Sequence, residues 1–350
     1  MTTEQATINE PSVPAVTETS SAPGAESATT RFGPRSLTLQ LERFGLLGLL
    51  LVVLLVFSLK SSQFHSSSNI RIVLGTQAVL GLLALASIVP LIAGQFDLSV
   101  GAIMGTTSIV TAAVMSRYHG NLALAILVAV GVGLLIGLVN GLLVSRVGVS
   151  SFIVTLASAT VLQGVVQWYS NGETISDGIS KSLISAGSGD ALGIPKGLLW
   201  LLPAAVLSWY MIGHTPWGRY LTAIGSNARA AKLAGLRVDG MVLSSFLYSG
   251  ALAGLAGVLQ TGQAGSADPQ SVLGAMLLPA LAAAFLGASA FTPGRFNVWG
   301  TLLAVYFVAF TVSGFQFIGA ASWIQQVFDG LALAGAVALS TILRRRNGRA

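Results

Sequence analysis

The sequence predicts an all-α, polytopic membrane protein of about ten transmembrane helices. Three observations lead there. Only 9% of the 350 residues are charged and 53% are hydrophobic, whereas soluble domains carry about 25% charged residues. Apolar runs recur at the roughly 17–25 residues that a helix needs to cross a ~30 Å hydrocarbon core. Lysines and arginines collect in alternate loops between those runs, as orientation in a membrane requires.

The first 36 residues are a different material, Ser, Thr, Ala and Pro with four Glu and no apolar periodicity. Such a composition buries too little apolar surface to offset chain entropy, so 1–36 is read as a disordered tail and 37–350 as the transmembrane domain. The tail has neither a basic start nor an early apolar core, so it is not read as a secretory signal. Arg31, Arg35 and Arg43 lead into the first apolar run, 44–60. The second and third runs, 72–93 and 98–116, flank a polar junction, GQFDLSVG, at 94–101. The fourth, 121–145, carries Gly133, Gly137 and Gly141 at G-x-x-x-G spacing, whose default meaning is close helix packing. The fifth, 150–169, has Gln163 and Gln167 one turn apart on one face. A segment without apolar periodicity, 170–196, precedes the sixth run, 197–213. After a basic loop at 214–240 come 241–262 with Gly250 and Gly254, an Ala-rich run at 276–290, then 298–315 and 323–343. The last opens with a polar cluster, Gln325, Gln326 and Asp329, and ends at Arg344.

Thirteen of the eighteen cations fall on one side if the N-terminus is inside, which places both termini in the cytoplasm. VGAIMGTTSIVTAAVMS from Val100 is loosely echoed by LGAMLLPALAAAFLGAS from Leu273. The two lie five helices apart, an odd shift that would relate the halves as an inverted repeat. A net charge of +6 suggests nucleic acid at first sight, but the cations flank apolar segments in short loops, where they orient helices. With no cysteine, disulfides and thiolate metal sites are excluded, and His65, His119 and His214 form no ligand motif. No N-x-S/T sequon occurs, and a bacterial inner membrane is the simplest location.

Two polar stretches carry the functional question. Asp97 sits between uncharged runs, where its carboxylate can cap the following helix by accepting from the N–H of Ser99 or Val100. In the inner loop, Ser226 or Asn227 can cap a short helix over Ala228–Leu233, and Gly235 can end it in a left-handed conformation. That helix would offer Ala230, Ala231, Leu233 and Ala234 to a partner; otherwise its cations simply hold topology.

These stretches match a pattern. AIGSNARAAKLAGLRV (223–238) resembles the coupling-loop signature of the ribose-type sugar permeases of ABC importers, in the branched-chain amino acid/ribose/xylose superfamily. GQFDLSVGAIMG (94–105) resembles their GGIDLSVG element, with Gln95 and Phe96 in place of Gly and Ile. NGLLVSRVGVSSFIVTLAS (140–158) is similar to another of their segments, with Ser151 where Pro is usual, and TPGRFNVWGTLLAVYFVAF (292–310) to a fourth. The resemblance runs in order from about residue 45 to 343. It implies a permease subunit that pairs with a second, identical or different, permease subunit. It also implies a cytoplasmic ABC ATPase, an extracytoplasmic sugar-binding protein, and a solute of the ribose, xylose, arabinose or galactose class. Gly225, Asn227, Ala230, Ala231, Gly235 and Arg237 would form the ATPase-coupling loop, and Gly94, Asp97, Ser99 and Gly101 a helix-break signature. The chain has no G-x-x-x-x-G-K-[ST], so ATP and Mg²⁺ would belong to the partner ATPase, with no cofactor, metal or catalytic residue in this chain.

Asn140, Thr155, Gln163 and Gln167 are the candidates for the translocation pathway. For each, a structural reading stands beside it: hydrogen bonding across a helix interface. The alternative function is an ion-gradient-driven secondary transporter of a small polar solute. Ion coupling calls for ionisable residues within the spans, where only Asp97 and Asp329 compete, and it leaves the large basic loop without a role.

Overall fold

The computed structural model describes Thr2, residues 34–273 and 276–321, and most of 323–338. Among the described residues, seven stretches are helical, long and apolar enough to cross a membrane. They are α1 (Pro34–Lys60), α2 with α3 (Ser67–Thr76 and Ala78–Ile92), α5 (Leu122–Leu142), α6 (Ser151–Ser170), α8 (Lys196–His214), α11 (Val238–Ala264) and α13 (Val298–Phe317). Two shorter apolar helices, α4 (Val100–Ser116) and α12 (Leu277–Gly287), lie among them. The described part of the tenth predicted run, 323–338, is also helical, while Gln326 and Asp329 fall outside the described residues. So does the predicted tail apart from Thr2 and the start of α1, which begins at Pro34 rather than 44; proline suits a first helical turn because it lacks only an N–H that would be unpaired anyway.

α3 is the axis of the bundle. From Ala78 to Leu91 every residue except Leu80 is buried, as a helix apolar all round must be. α11 runs along α3, α4 and α5. Its approach to α5 is set by two facing glycine stripes: a Cβ on Gly250 would collide with the carbonyl oxygen of Gly133, and one on Gly137 with that of Phe246. In lipid, where apolar burial does not drive helices together, this backbone-to-backbone contact supplies the packing energy. The outer faces of α1 and α6, with Leu55, Leu59, Val161 and Trp168 exposed, are what remains for lipid.

Contacts sort the connecting segments into two ends. At one end Phe291 N donates to Arg43 O at 2.9 Å, and Gly225 lies against Gly94. At the other, Arg71 pairs with Asp190 at 3.2 Å, Ile175 bridges Ala267, and Arg117 stacks over Tyr169 at 4.6 Å. The predicted plain loop 170–196 is here a packed cap. It contains α7 (Lys181–Gly187) and a hairpin of β1 (Asp190–Ala191) and β2 (Ile194–Pro195). Leu183 is buried, Gly187 lies against the backbone of Gly262 and Gln263, and Trp200 Nε1 donates to Ala186 O at 2.9 Å. Its apolar contacts come from single residues, so no periodicity reveals them.

The glycine contact is open to test. Gly250→Leu should lower the thermal midpoint of the detergent-solubilised protein, at a cost of about 1–3 kcal/mol or more. Gly131→Leu, on α5 with nothing within 4 Å, should leave the midpoint within a degree or two of the parent, since surface substitutions change stability by about 0.5 kcal/mol or less. Equal midpoints for the two variants would refute the packing account.

Candidate functional site

The junction between α3 and α4 is a hydrogen-bonded knot. Gly94 takes a left-handed conformation (φ +77°), and Gly94 N and Gln95 N return to Leu91 O and Pro90 O at 3.1 and 2.9 Å, closing α3. Phe96 N then donates to Ser151 Oγ at 3.1 Å and Leu98 N to Thr155 Oγ1 at 3.0 Å, both on α6. Asp97 is 1% exposed. Its Oδ1 accepts from Ser99 N at 3.0 Å and Ser99 Oγ at 2.5 Å, and its Oδ2 accepts from Ser249 Oγ of α11 at 2.7 Å. Asn140 Nδ2 of α5 donates to Ser99 Oγ at 2.9 Å and extends the network. Asp97 accepts from the expected Ser99 N–H, but Ser99 is itself the N-cap of α4, so the carboxylate closes a turn just ahead of the helix and reaches protein rather than water. Among the described residues no cation pairs with it.

The basic loop supplies two further helices, α9 (Pro216–Ser226) and α10 (Ala228–Leu233). Asn227 caps α10, its Oδ1 accepting from Ala230 N at 3.0 Å, and Gly235 leaves it at φ +86°. Ala230 is exposed and Leu233 is 86% exposed. Ala231 departs from the predicted outward set: it is 6% exposed and packs with Val144, Val154 and Ile224, because one face of so short a helix must rest on the bundle. Arg237 is exposed at the start of α11. At the end of α9, a Cβ on Gly225 would run into the carbonyl oxygen of Ile92 and lie 3.1 Å from Gly94 N. The basic loop therefore touches the α3–α4 break backbone to backbone.

Of the candidate pathway residues, the structure brings Asn140 and Thr155 together at this knot, both buried and both hydrogen-bonded to it. Gln163 and Gln167 lie about 12 Å or more farther along α6 from Thr155, half-buried and outside the network. Gly101 is buried in the first turn of α4. Sequence reasoning missed Ser249 and the contact of Gly225 with Ile92. Ser151 carried a signal, a hydroxyl where proline is usual.

A family model described as a branched-chain amino acid transport system permease component matches residues 69–337. The chain belongs to this family, the ribose-type permeases of ABC importers. The permease is 33% identical over 294 residues to the ribose import permease protein of Bacillus subtilis (strain 168), covering 84% of this chain and 90% of that protein. To the ribose import permease protein of Escherichia coli (strain K12) it is 30% identical over 301 residues, 85% of this chain and 92% of the other. To the fructose import permease protein of Rhizobium meliloti the identity is 31% over 290 residues, 81% and 80% of the two chains. No solved structure matches it. The permease is a multi-pass protein of the bacterial inner membrane and a transporter subunit, not an enzyme.

Removing the Asp97 carboxylate separates turn from charge. Asp97→Leu strips the acceptor from two hydroxyls and one backbone N–H, each costing about 1–3 kcal/mol when buried unpaired, so the protein should fail to accumulate or melt far lower. Asp97→Asn keeps an oxygen for Ser99 and turns an amide toward Ser249 Oγ, and should cost about 1 kcal/mol. Thermal midpoints in detergent decide; an Asn variant as damaged as the Leu variant would show that the charge itself is needed.

Proposed function

We propose that this chain is the permease subunit of a bacterial monosaccharide importer, moving a solute of the ribose, xylose, arabinose or galactose class by alternating access powered by a separate ATPase. The observation that carries the reading is the contact of Gly225 with the backbone of Ile92 and Gly94. The loop that resembles an ATPase-coupling signature abuts the break beside which helices three to six meet, so displacement of the loop reaches the spans without an intermediary. The ribose and fructose import named for the relatives supports the solute class.

In this reading ten spans cross the membrane with both termini in the cytoplasm, and two halves repeat in inverted sense. The clustering of connecting segments at two ends supports it: Arg43, Gly225 and Phe291 share one end, Arg71, Asp190 and Lys196 the other. The cation-rich end faces the cytoplasm. There α10 seats in a groove of the ATPase, which holds ATP and Mg²⁺, through Ala230 and Leu233 with Arg229 and Lys232 at its rim. At the outer end the cap of α7 and the hairpin receives the sugar-binding protein, and a second permease subunit, the same or another, completes the pathway. An ion-driven transporter lacks support, because Asp97 is held by three donors rather than left free to exchange a cation.

The test is reconstitution in lipid vesicles with the cognate ATPase and binding protein. Sugar-loaded binding protein should stimulate ATP hydrolysis and drive uptake. Gly225→Leu and Ala230→Asp should each cut uptake by more than about tenfold, the loss that about 1.4 kcal/mol produces, while membrane insertion persists. Uptake driven by an ion gradient with no ATPase present would overturn the assignment; normal uptake by both variants would sink the coupling loop.

A further inference from the structure

α2 and α3 form a single 26-residue span, Ser67–Ile92, with a local irregularity at Gln77, across which Gln77 N still donates to Val73 O at 3.2 Å and Gly81 N to Gln77 O at 2.9 Å. Just before the irregularity, Leu74 O accepts from Tyr306 Oη at 3.1 Å and Gly75 O accepts from Gln263 Nε2 at 2.9 Å. Side chains of α13 and α11 thus satisfy carbonyls at the irregularity. Carbonyls freed from the regular ladder at membrane depth are tolerated only where protein or a water-filled cavity meets them.

A cavity opens beside this irregularity. Its volume is about 470 Å³, within the ≈ 300–1,000 Å³ of small-molecule sites. Thr76, Gln77, Gln260, Gln263 and Gln325 line it, with apolar wall from Leu80, Met276 and Val312 among others, and among the described residues none of the lining is charged. Gln263 is held by its bond to Gly75 O. The side-chain amides of Gln77 and Gln260, both half-buried, have no hydrogen-bond partner among the described residues. Being only half-buried, both amides are open to a polar visitor in the cavity.

The lining specifies the chemistry of that visitor. An amide offers a donor and an acceptor, as a hydroxyl does, and the apolar wall accepts the C–H face of a ring. A zwitterionic amino acid would bring two charges that none of the described lining side chains neutralises. We propose that this cavity holds the solute in transit and is built for a neutral polyhydroxylated molecule. The proposal rests on the importer reading above and gives it a location, near the capped end of the bundle. Gln77 lies about 25 Å along the span from Gly94, so the station and the break occupy opposite ends of one helix.

The experiment uses the complete transporter in vesicles, with D-ribose, D-xylose, L-arabinose, D-galactose and D-fructose as probes and L-leucine as the zwitterionic control. For the sugar that the parent moves best, the Gln77→Leu/Gln260→Leu variant should lower uptake about tenfold. ATP hydrolysis stimulated by loaded binding protein should stay within twofold, so that sugar moved per ATP falls about tenfold. The Gln77→Asn/Gln260→Asn variant, which keeps shorter amides, should recover most of the uptake. Unchanged uptake in the Leu variant overturns the proposal. Uptake and hydrolysis that fall together also overturn it, because they mark a structural role, as does a parent that prefers L-leucine over every sugar. A parent that moves none of the probes refutes the importer reading itself, a result distinct from any of these.

Discussion

A backbone that stops being helical between apolar helices must find its hydrogen-bond partners inside the protein. Phe96 and Leu98 meet that constraint with hydroxyls borrowed from α6, those of Ser151 and Thr155, while Asn140 of α5 and Ser249 of α11 hold the side chains of Ser99 and Asp97. The break cannot be satisfied until those helices are in place, and they in turn are aligned by it. Asp97 draws on the same constraint. Hydroxyl and backbone dipoles, with the start of α4, stand where a counter-cation would otherwise be needed. The arrangement leaves the cations of the basic loop exposed at the surface.

The second constraint is closeness. α5 meets α11, and α9 meets the end of α3, through glycines whose missing side chains let backbone touch backbone. Such contacts have little slack, since packed interiors compress poorly and transmit strain. A contact made by long side chains would absorb a small displacement by rotamer change; one between Gly225 and Ile92 O passes it on. Smooth glycine faces between α5 and α11 also let two helices change their relative position without uncoupling.

What was legible in the sequence was local. The Asp97 turn spans two residues, the Asn227 cap three, and Gly235 needs only its own backbone angle. Apolar length placed the spans to within a few residues except at α1, where polar residues at 36–43 hid ten residues of helix. Contacts between distant segments were not legible: Ser249 lies 152 residues from Asp97 and Asn140 lies 41 from Ser99. The irregularity at Gln77 was hidden because one glutamine inside the apolar run 72–93 does not disturb its mean hydropathy. Sequence reasoning singles out Gln163 and Gln167 and not Gln77 and Gln260, although both pairs are amides on apolar helices. Only packing separates them, by gathering the second pair around a cavity with Gln263 and Gln325.

α3 joins the two ends of the importer reading. It is buried on nearly every side. In that reading a push at Gly94 from the basic loop is passed along α3 toward Gln77. There the carbonyls of Leu74 and Gly75 accept side-chain bonds from Tyr306 and Gln263. Gln77 and Gln263 both line the cavity, so in that reading a shift of α3 relative to α2 changes the spacing of the amides that would hold a sugar. In the importer reading coupling and release would need no separate device, because the displacement that reports the state of the ATPase would also loosen the grip on the solute.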